Sequence, residues 1–288
     1  MDKLTYQLKE LRDSNREGSF STQQARQEAH NLIASQLKEL GFNQMNVNAL
    51  KEKHAVALVE NWLKKGISSG TMKNRMSHFR WSIKKVNPAR QIPTNKELGI
   101  KNRSYVTNIS KAVKLEQKHL DKINDPNIRN SLRAQAAFGI RREESMKIII
   151  AIADKGDHLA LKGQWCKNGR PRNIPILTSQ QRALVNKLKT ICGNNSLIPP
   201  DKSYKQQMTT YKNTVPKSGL DGKAHGIRHK YIQDRYKALT GKGCPACGGK
   251  RQRDMTKEER AIDKEARLQI AEETGHSREQ VTSTYLGS

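Results

Sequence analysis

Apolar residues recur at helical spacing along the first ~115 residues, which predicts a helical N-terminal region. One helix is predicted over residues 25–40, with Ser21 and Gln24 as a capping box, and a second over residues 54–65. A third is predicted from residue 72 to the residues before Pro88. The first and third helices each have an apolar face, formed by Ala25, Ala29, Leu32, Ile33, Leu37 and Leu40 and by Met72, Met76, Phe79, Ile83 and Val86. These faces are expected to form a helical core.

A stretch without clear periodicity follows this helical region. Residues 87–108 contain two prolines and several lysines and arginines, which is typical of a linker. The predicted division is a helical N-terminal domain over residues 1–86, a basic linker over residues 87–110 and a second domain over residues 111–288. Such a linker would let two domains close around an object between them.

In the second half, helical patterns alternate with short strand patterns. The sequences KIIIAIA (residues 147–153) and DHLALKG (residues 157–163) are predicted as strands. Asn168-Gly169 is a hairpin turn signal, and Pro171 beyond it suggests an edge strand or a bulge. Further helices are predicted over residues 114–123, 130–140, 179–191, 203–213, 225–239 and 257–274. The predicted fold is therefore mainly α with a small antiparallel β-sheet, an α+β architecture.

The net charge of the chain limits the classes of partner that it is expected to bind. The 288 residues include 54 Lys and Arg against 27 Asp and Glu, a formal net charge of +27. So large an excess repels itself in a compact protein unless a polyanion is the normal partner, and nucleic acid is the first candidate. The alternative is a merely soluble basic protein. A membrane is disfavoured, because no stretch approaches ~18 consecutive apolar residues and the first residues lack the apolar segment of a signal peptide.

The cysteines bear on compartment and metals. Four cysteines in a chain of this length do not form a disulfide framework, and they favour a reducing, cytoplasmic setting. Cys244 and Cys247 form a CxxC knuckle, which is half of a zinc site, but no second CxxC or HxxxH exists in the sequence. We therefore expect no metal, with zinc at Cys244 and Cys247 as the less favoured alternative. Residues 241–260, which contain this pair, are predicted to be a flexible basic loop near DNA, and an isolated redox pair is the other interpretation.

Four short motifs hold the candidate chemistry. They contain Arg141 and Glu144 in AFGIRREES, Lys167 beside the hairpin turn, His225 and Arg228 in HGIRH, and His276 and Tyr285 in GHSREQVTSTY. The spacing of HxxR puts its two side chains on one helix face. Gly275 can end one helix, and Ser277 with Gln280 can cap the next, which would carry Tyr285. Taken singly, each motif also has a structural explanation, such as a surface charge or a tyrosine that anchors a helix.

In this order and spacing, the motifs resemble those of the tyrosine recombinase (phage integrase) family. The resemblance covers residues 115–288, and the first half is similar to that family's helical core-binding domain. Within the family, the chain looks most like integrases of bacterial integrative elements and plasmids. The resemblance implies a two-domain clamp, with a core-binding domain and a mixed catalytic domain, that embraces double-stranded DNA attachment sites. It also implies a homo-tetramer on DNA, with DNA-bending accessory proteins as candidate partners and no membrane.

The resemblance also implies a role for each motif. Tyr285 would attack the scissile phosphorus and form a 3′-phosphotyrosine link with a free 5′-hydroxyl. Arg141 and Arg228 would hold the non-bridging oxygens, for which a permanently charged, forked guanidinium is suited. Lys167 would protonate the 5′ leaving oxygen, since an ammonium can give up a proton.

Three further residues complete the implied site. His225 and His276 would hydrogen-bond the phosphate or assist the tyrosine proton, and Glu144 would orient its neighbours. No cofactor and no metal ion is expected, because cationic side chains would replace the ions of two-metal nucleases. DNA contacts are expected from Lys73, Arg75, Arg80, Lys84, Arg170, Arg172, Lys250, Arg251 and Arg253.

Two features depart from the family. The gap from Arg228 to His276 is long and holds the segment 241–260, and only three residues follow Tyr285 where many members have a segment that docks on a neighbour. Either assembly uses another surface or the chain was trimmed. The expected activity is integration and excision of a mobile element. The alternatives are a resolvase of replicon dimers or a topoisomerase-like nicking-closing activity with the same chemistry, and a DNA-binding relative that has lost catalysis.

Overall fold

The computed structural model describes residues 2–220 and 224–288. Within that part of the chain it has thirteen α-helices and one two-stranded antiparallel sheet. The helices and strands form two compact units, Met1–Ser104 and Tyr105–Ser288. The predicted fold class, mainly α with a small antiparallel sheet, is confirmed. None of the helices among the described residues combines the length and the apolar character needed to cross a bilayer.

The first unit is a helical bundle with its own core. Its helices are α1 (Lys3–Asp13), α2 (Phe20–Glu39), α3 (Glu52–Lys64) and α4 (Ser69–Val86), with a 3₁₀ turn at Val47–Ala49 between α2 and α3. Trp62 is fully buried, and its indole Nε1 donates to Gln36 Oε1 at 2.7 Å. On α4, the predicted apolar face is buried at Met72, Met76, Phe79 and Ile83. The bundle therefore forms as the helical periodicity indicates.

Helix α2 differs from its prediction at both ends. The N-cap is Ser19 rather than Ser21, and its hydroxyl accepts from a backbone N–H of the first turn at 3.2 Å. The helix thus begins earlier, at Phe20. Ala25 and Leu40, predicted on the apolar face, are exposed. A choice between neighbouring Ser and Thr caps depends on which hydroxyl meets the first turn, and this is not encoded in spacing.

Some polar residues of α2 are buried in the unit because residues of α4 provide partners for them. Arg26 is buried with its guanidinium 3.9 Å from the centre of the Trp81 ring, a cation–π arrangement. His30 is buried with Nε2 at 2.9 Å from the hydroxyl of Ser82. Burial lowers the pKa of His30 to about 3, so this imidazole is neutral near pH 7.

The predicted linker is partly absorbed into the first unit. Leu98 and Ile100 are buried in the same core cluster as the bundle helices. Arg80 of α4 donates to Asn95 Oδ1 at 2.9 Å and also to the carbonyl of Pro93. The compact unit consequently extends beyond residue 86 to Ser104.

The second unit surrounds a small hairpin with helices. They are α5 (Gln117–Asp121), α6 (Pro126–Phe138), α7 (Arg142–Lys147), α8 (Ile150–Ala153), α9 (Ser179–Cys192), α10 (Tyr204–Thr214), α11 (His225–Thr240), α12 (Lys257–Thr274) and α13 (Ser283–Leu286). Strands β1 (His158–Leu161) and β2 (Arg172–Pro175) pair antiparallel, with Leu161 opposite Arg172. The strand predicted at KIIIAIA is wrong, because Ile150–Ala153 is helical. A short, wholly apolar run does not reveal its period, so either element fits it.

The connection between the strands is longer than a tight hairpin. Residues 162–171 contain two 3₁₀ turns, Gly163–Trp165 and Lys167–Gly169. The Asn168-Gly169 signal therefore lies within the second 3₁₀ turn and does not form a two-residue hairpin turn, and Pro171 directly precedes β2. Lys167 begins that second turn.

The segment after α11 is packed against the second unit. Its 3₁₀ turns are Pro245–Cys247 and Gln252–Asp254, and Cys244 and Pro245 are buried. The prediction of a flexible basic loop is wrong for this part of the segment, since Cys244 belongs to the core cluster that contains Tyr285.

The end of the chain follows its prediction in part. Gly275 ends α12 with a φ of 71°, as predicted. The predicted cap by Ser277 and Gln280 does not form; a 3₁₀ turn at Glu279–Thr282, with no side-chain cap, leads into α13, which carries Tyr285.

Candidate active site

The turn between α6 and α7 presents Arg141. Gly139 ends α6 at a φ of 59°, and a Cβ built there would lie 2.2 Å from the Tyr231 ring, so the position requires glycine. Arg141 is the N-cap residue of α7. Glu144 accepts from the Arg141 backbone N–H at 2.6 Å and from Arg141 Nη1 at 2.9 Å. One carboxylate therefore both caps the helix and orients the arginine.

Arg172, predicted as a DNA contact, lies inside the protein. Its Nη2 donates to Glu144 Oε2 at 2.6 Å and its Nη1 to Glu144 Oε1 at 3.1 Å, a bidentate pair. Its Nε donates to the Glu273 carbonyl at 3.0 Å. Although burial by itself would raise the pKa of Glu144, the hydrogen bonds and charges of Arg172 and Arg141 lower it to about 2. Arg172 thus ties the hairpin to α7 and to the end of α12.

Arg228 of α11 is buried in a different way. It is only 2% exposed, and its guanidinium donates to the backbone carbonyls of Gly139 and, at 2.6 Å, of Thr274. Nη2 also lies 3.3 Å from His276 Nε2, while Nε has no partner. Within residues 2–220 and 224–288, no Asp or Glu forms an ion pair with it. Burial lowers the pKa of Arg228 to about 10, so it stays a cation near pH 7.

Tyr285 lies among these groups. The residue is 6% exposed, and its hydroxyl oxygen is 3.4 Å from His225 Nε2. The ring centre is 4.6 Å from that of His229 and 5.7 Å from that of His276. The central guanidinium carbon of Arg228 is 5.7 Å from the ring centre. The phenol is therefore buried but faces the cationic and imidazole groups of the site.

The imidazoles around the phenol are neutral. Desolvation, followed by the charges of Arg228 and Arg141, lowers the pKa of His225 to about 4. The same causes lower the pKa of His276 to about 3. Desolvation and the neighbouring His225 lower the pKa of His229 to about 4. A neutral imidazole near pH 7 can accept a proton, so these rings are available as bases.

A cleft of about 730 Å³ opens onto this group. Its walls include Arg141, Lys167, His225 and Arg228. Lys167 is exposed on the wall at the start of its 3₁₀ turn. Tyr285 joins the site through His225 and does not itself line the cleft. The structure thus brings all six candidate catalytic residues into one region. Tyr285, His225, Arg228 and His276 are linked by direct contacts, and Arg141 and Lys167 join them through the shared cleft.

The candidate DNA contacts of the first unit are mostly held by the protein. Lys84 is exposed on α4. Lys73, Arg75 and Arg80 are half-buried and contact Asn102 at 3.0 Å, the Trp62 ring at 5.3 Å and Asn95 at 2.9 Å, respectively. Lys73 and Arg80 thus use part of their hydrogen-bonding capacity inside the unit, while Arg75 packs on an aromatic ring.

The candidate DNA contacts of the second unit differ among themselves. Arg170 and Arg251 are exposed. Lys250 pairs with Glu259 at 2.9 Å and Arg253 with Asp254 at 3.6 Å. Arg172 stands apart, because its guanidinium is committed to Glu144 and the Glu273 carbonyl.

The CxxC pair is close to Tyr285, since Cys244 belongs to the same core cluster. Cys244 is buried, and Cys247 is exposed with Sγ donating to Gln233 Oε1 at 3.1 Å. In the part of the chain that the structure describes, no three His, Cys, Asp or Glu side chains are grouped to hold a metal ion.

Sequence reasoning missed the position of two residues. His229 follows His225 by one helical turn, so the i, i+4 spacing could have placed it on the same face. Arg172 is two residues before the buried Ile174 on β2, so both side chains lie on the same face of the strand, and this spacing was the available signal.

Comparisons with known proteins agree with this architecture. A family model described as "Phage integrase, N-terminal" matches residues 1–90, and one described as "Integrase" matches residues 102–234. No curated protein matches the chain in sequence.

Solved structures share the fold at low identity. A lambda integrase dimer bound to a COC′ core site has a TM-score of 0.62 at 12% identity, covering 98% of this chain and 76% of that one. The Tn1549 transposon integrase in complex with transposon right end DNA has a TM-score of 0.55 at 12% identity, with 98% and 93% covered. XerH site-specific recombinase bound to difH substrate has a TM-score of 0.58 at 13% identity, with 98% and 80% covered. Together, the two family models and the shared fold identify the chain as a member of the tyrosine recombinase (phage integrase) family.

Proposed function

We propose that the protein is a site-specific DNA recombinase that cleaves and rejoins duplex DNA through a 3′-phosphotyrosine intermediate. The observation that carries this proposal is the environment of Arg228, a buried cation without an ion-pair partner among the described residues. A buried charge is costly unless an opposite charge compensates it. A phosphodiester entering the cleft would supply that charge beside the Tyr285 hydroxyl.

The proposed step exchanges one phosphodiester for another. Tyr285 Oη forms a bond to phosphorus, and the bond from phosphorus to the 5′ oxygen breaks. Arg228 and the exposed nitrogens of Arg141 stabilise the charge on the non-bridging oxygens, where preorganised donors lower the barrier most. The products are a 3′-phosphotyrosine and a strand with a free 5′-hydroxyl. A 5′-hydroxyl from another strand can reverse the step, so strand exchange needs no ATP.

Two protons must move in this step. His225 is the candidate acceptor for the Tyr285 proton, because its neutral Nε2 is 3.4 Å from the hydroxyl. Lys167, on the wall of the cleft, is the candidate donor to the departing 5′ oxygen. His276 contacts Arg228 and would help hold the phosphate. Glu144 and Arg172 would position these groups without contacting DNA.

The biological role that we propose is integration and excision of a mobile element. The net charge of +27 supports binding to duplex DNA, and the fold is shared with integrases whose structures were solved as a dimer bound to a core site and as a tetramer bound to a Holliday junction. We therefore infer that a homo-tetramer acts on two attachment sites. The core-binding domain predicted at residues 1–86 would lie within the first unit, Met1–Ser104, and the catalytic domain predicted at residues 111–288 within the second, Tyr105–Ser288. Lys84, Arg170 and Arg251 are exposed candidates for phosphate contacts. Lys250 and Arg253 are also exposed but pair with Glu259 and Asp254.

A nicked suicide substrate tests the chemistry. The short strand released after cleavage diffuses away and traps the covalent adduct, which denaturing electrophoresis detects. We expect an adduct with the wild-type protein, also in EDTA, and none with Tyr285→Phe, which should still bind the DNA. An adduct with Tyr285→Phe, or none with the wild type on its natural site, would refute the proposal.

The pair of sites that recombines separates integration from resolution. Plasmids that carry an element end and a chromosomal attachment site should recombine if the protein is an integrase. Recombination restricted to two identical sites on one replicon dimer would indicate a resolvase instead.

A further inference from the structure

Gln233 holds the backbone of Tyr285. It is buried, and its Nε2 donates to the Tyr285 carbonyl at 2.9 Å. Its Oε1 lies 2.9 Å from the Ser110 hydroxyl and 3.1 Å from Cys247 Sγ, which both donate to it. Because two donors occupy the amide oxygen, the amide nitrogen must face the carbonyl, and the orientation of the side chain is fixed.

The next contact is made by Gly287, two residues after Tyr285. Its φ is 80°, and a Cβ built there would lie 2.6 Å from Asn108 Oδ1, 2.8 Å from the Ala246 backbone nitrogen and 3.0 Å from Pro245 Cβ. Part of this surface is backbone, which cannot yield as the end of a flexible side chain can. The site that receives Gly287 therefore has room for a glycine alone.

Asn108 holds the residue that follows Gly287. Its Oδ1 accepts from the Ser288 backbone N–H at 2.8 Å, and its own φ is 50°, a conformation that asparagine tolerates. Between these polar contacts, Leu286 is fully buried in the same cluster as Cys244. Residues 285–288 are thus held by hydrogen bonds, by apolar burial and by a close backbone approach.

We propose that Gln233, Asn108 and the 244–247 turn form a C-terminal seat that positions Tyr285 for attack. The segment after α11 would then be part of the catalytic apparatus through its contacts with the backbone beyond the nucleophile. The proposal rests on the proposed function, because it takes Tyr285 as the nucleophile. The residues of the C-terminal seat are positioning residues, since none of them reaches the reacting atoms.

Positioning has a large effect on such a reaction. A displacement of about 1 Å can cost about 100-fold in rate, since the attacking atom must approach within van der Waals contact and in line. The Tyr285 hydroxyl lies 3.4 Å from His225 Nε2, which is a weak restraint, and the ring packs against His229. The C-terminal seat supplies the remaining restraint through the main chain.

The main test compares two glycines that both have a positive φ. Gly287 has a φ of 80° and a ψ of −179°, which essentially only glycine adopts, and Gly241 is left-handed with a φ of 70° and a ψ of −3°. Gly287→Ala therefore combines backbone strain with steric overlap, and both displace the end of the chain from the C-terminal seat. Gly287→Ala adds a Cβ to the filled site, whereas Gly241→Ala adds one at a φ of 70° where nothing lies within 4 Å. We expect Gly287→Ala to slow single-turnover adduct formation by about 100-fold at saturating DNA, with the Kd for DNA unchanged. Gly241→Ala should cleave like the wild type. Equal rates for the two variants, faster cleavage by Gly287→Ala, or a parallel loss of DNA binding would overturn the proposal.

Asn108 offers a conservative rescue. Asn108→Asp keeps an acceptor for the Ser288 N–H, while Asn108→Gly keeps the backbone conformation and loses the acceptor. We expect Asn108→Gly to slow cleavage by about tenfold, the loss of one hydrogen bond, and Asn108→Asp to stay near the wild-type rate. Equal rates for both variants would count against the C-terminal seat.

Hydrogen exchange tests the C-terminal seat independently of the proposed function. In the free full-length protein, amides of residues 283–288 should exchange faster in Gly287→Ala than in the wild type or Gly241→Ala. If the wild type forms no adduct, the proposed function fails, and exchange alone judges the C-terminal seat. Unchanged exchange in Gly287→Ala would overturn the seat whether or not the wild type cleaves DNA.

Discussion

Two arginine clusters adjoin the same cleft and solve the problem of buried charge differently. The Glu144 cluster consists of Arg141, Glu144 and Arg172, and its carboxylate is shared by the two guanidiniums. The Arg228 cluster consists of Arg228 with His225, His276 and Tyr285, and it contains no carboxylate. The first cluster has its counter-charge within the protein. The second has neutral partners only.

The difference indicates which cluster is built for stability and which for an anionic ligand. The side chain of Arg172 is 5% exposed and forms an ion pair with Glu144, so its role is structural. Arg141 is 22% exposed at its side chain, shares Glu144 through Nη1 and lines the cleft. Arg228 retains an unpartnered Nε and a lowered pKa, the signs of a charge that is not compensated in the free protein.

Removal of Arg228 should have the largest effect on cleavage. We expect Arg228→Met to lower the adduct rate by at least about 100- to 1,000-fold, because a preorganised donor for the transition state is lost. The free energy of unfolding should fall by under about 2 kcal/mol. Two carbonyls lose a hydrogen-bond donor, which destabilises the folded state, but an uncompensated buried charge is also removed, which offsets part of the loss. Single-turnover kinetics and urea denaturation measure the two effects. A variant that cleaves within tenfold of the wild type would contradict the assignment.

Removal of Arg172 should reverse this pattern. Arg172→Met leaves Glu144 with Arg141 as its one ion-pair partner among the described residues. Breaking such a buried pair costs about 3–5 kcal/mol in the free energy of unfolding. Urea denaturation should detect the loss, with the exposed Arg251→Met as a control that changes little. If Arg172→Met is no less stable than Arg228→Met, the contrast between the clusters is wrong.

The sequence could predict which residues to examine but not which cluster each would join. Spacing put His225 and Arg228 on one helix face, and motif order associated them with Arg141 and Tyr285. The role of Arg172 depends on strand register, because Leu161 opposite Arg172 brings it to Glu144. That register is a tertiary property, so Arg172 was predicted as one more basic residue of the hairpin.

Local signals failed where packing decides between alternatives. KIIIAIA is apolar on every side, and the helical form of Ile150–Ala153 follows from its neighbours in the core. The segment that contains Cys244 looked like a loop because of its glycines and lysines. Its burial against Leu286 could not be inferred from composition.

The pH dependence of stability should distinguish the clusters more finely. The pKa of His276 is about 3 in the folded protein and about 6.5 when unfolded, so the unfolded chain binds more protons between these values. Stability should therefore fall as the pH drops from 7 to 5, by about 2 kcal/mol for this residue. The pKa of Glu144 is about 2, below its unfolded value of about 4.3, so its contribution is lost only at lower pH.

His276→Gln should consequently flatten the loss of stability between pH 7 and pH 5, while Glu144→Gln should leave that slope unchanged. Urea denaturation at the two pH values, on the wild type and both variants, measures the slopes. If Glu144→Gln flattens this loss of stability and His276→Gln does not, the pH dependence in this range comes from the Glu144 cluster, and the prediction is wrong.

The smallest effect on DNA binding should come from substitution of Arg170, the exposed neighbour of the buried Arg172. Arg170 and Arg172 are two residues apart in the hairpin, but only Arg170 is exposed. If Arg170 contacts a phosphate, Arg170→Gln should reduce the slope of log Kd against log salt by about one and weaken binding similarly on all sequences. Its thermal stability should match the wild type, because no buried pair is broken. An unchanged salt slope would remove Arg170 from the DNA interface and confine the hairpin's contribution to Lys167 and the internal contacts of Arg172.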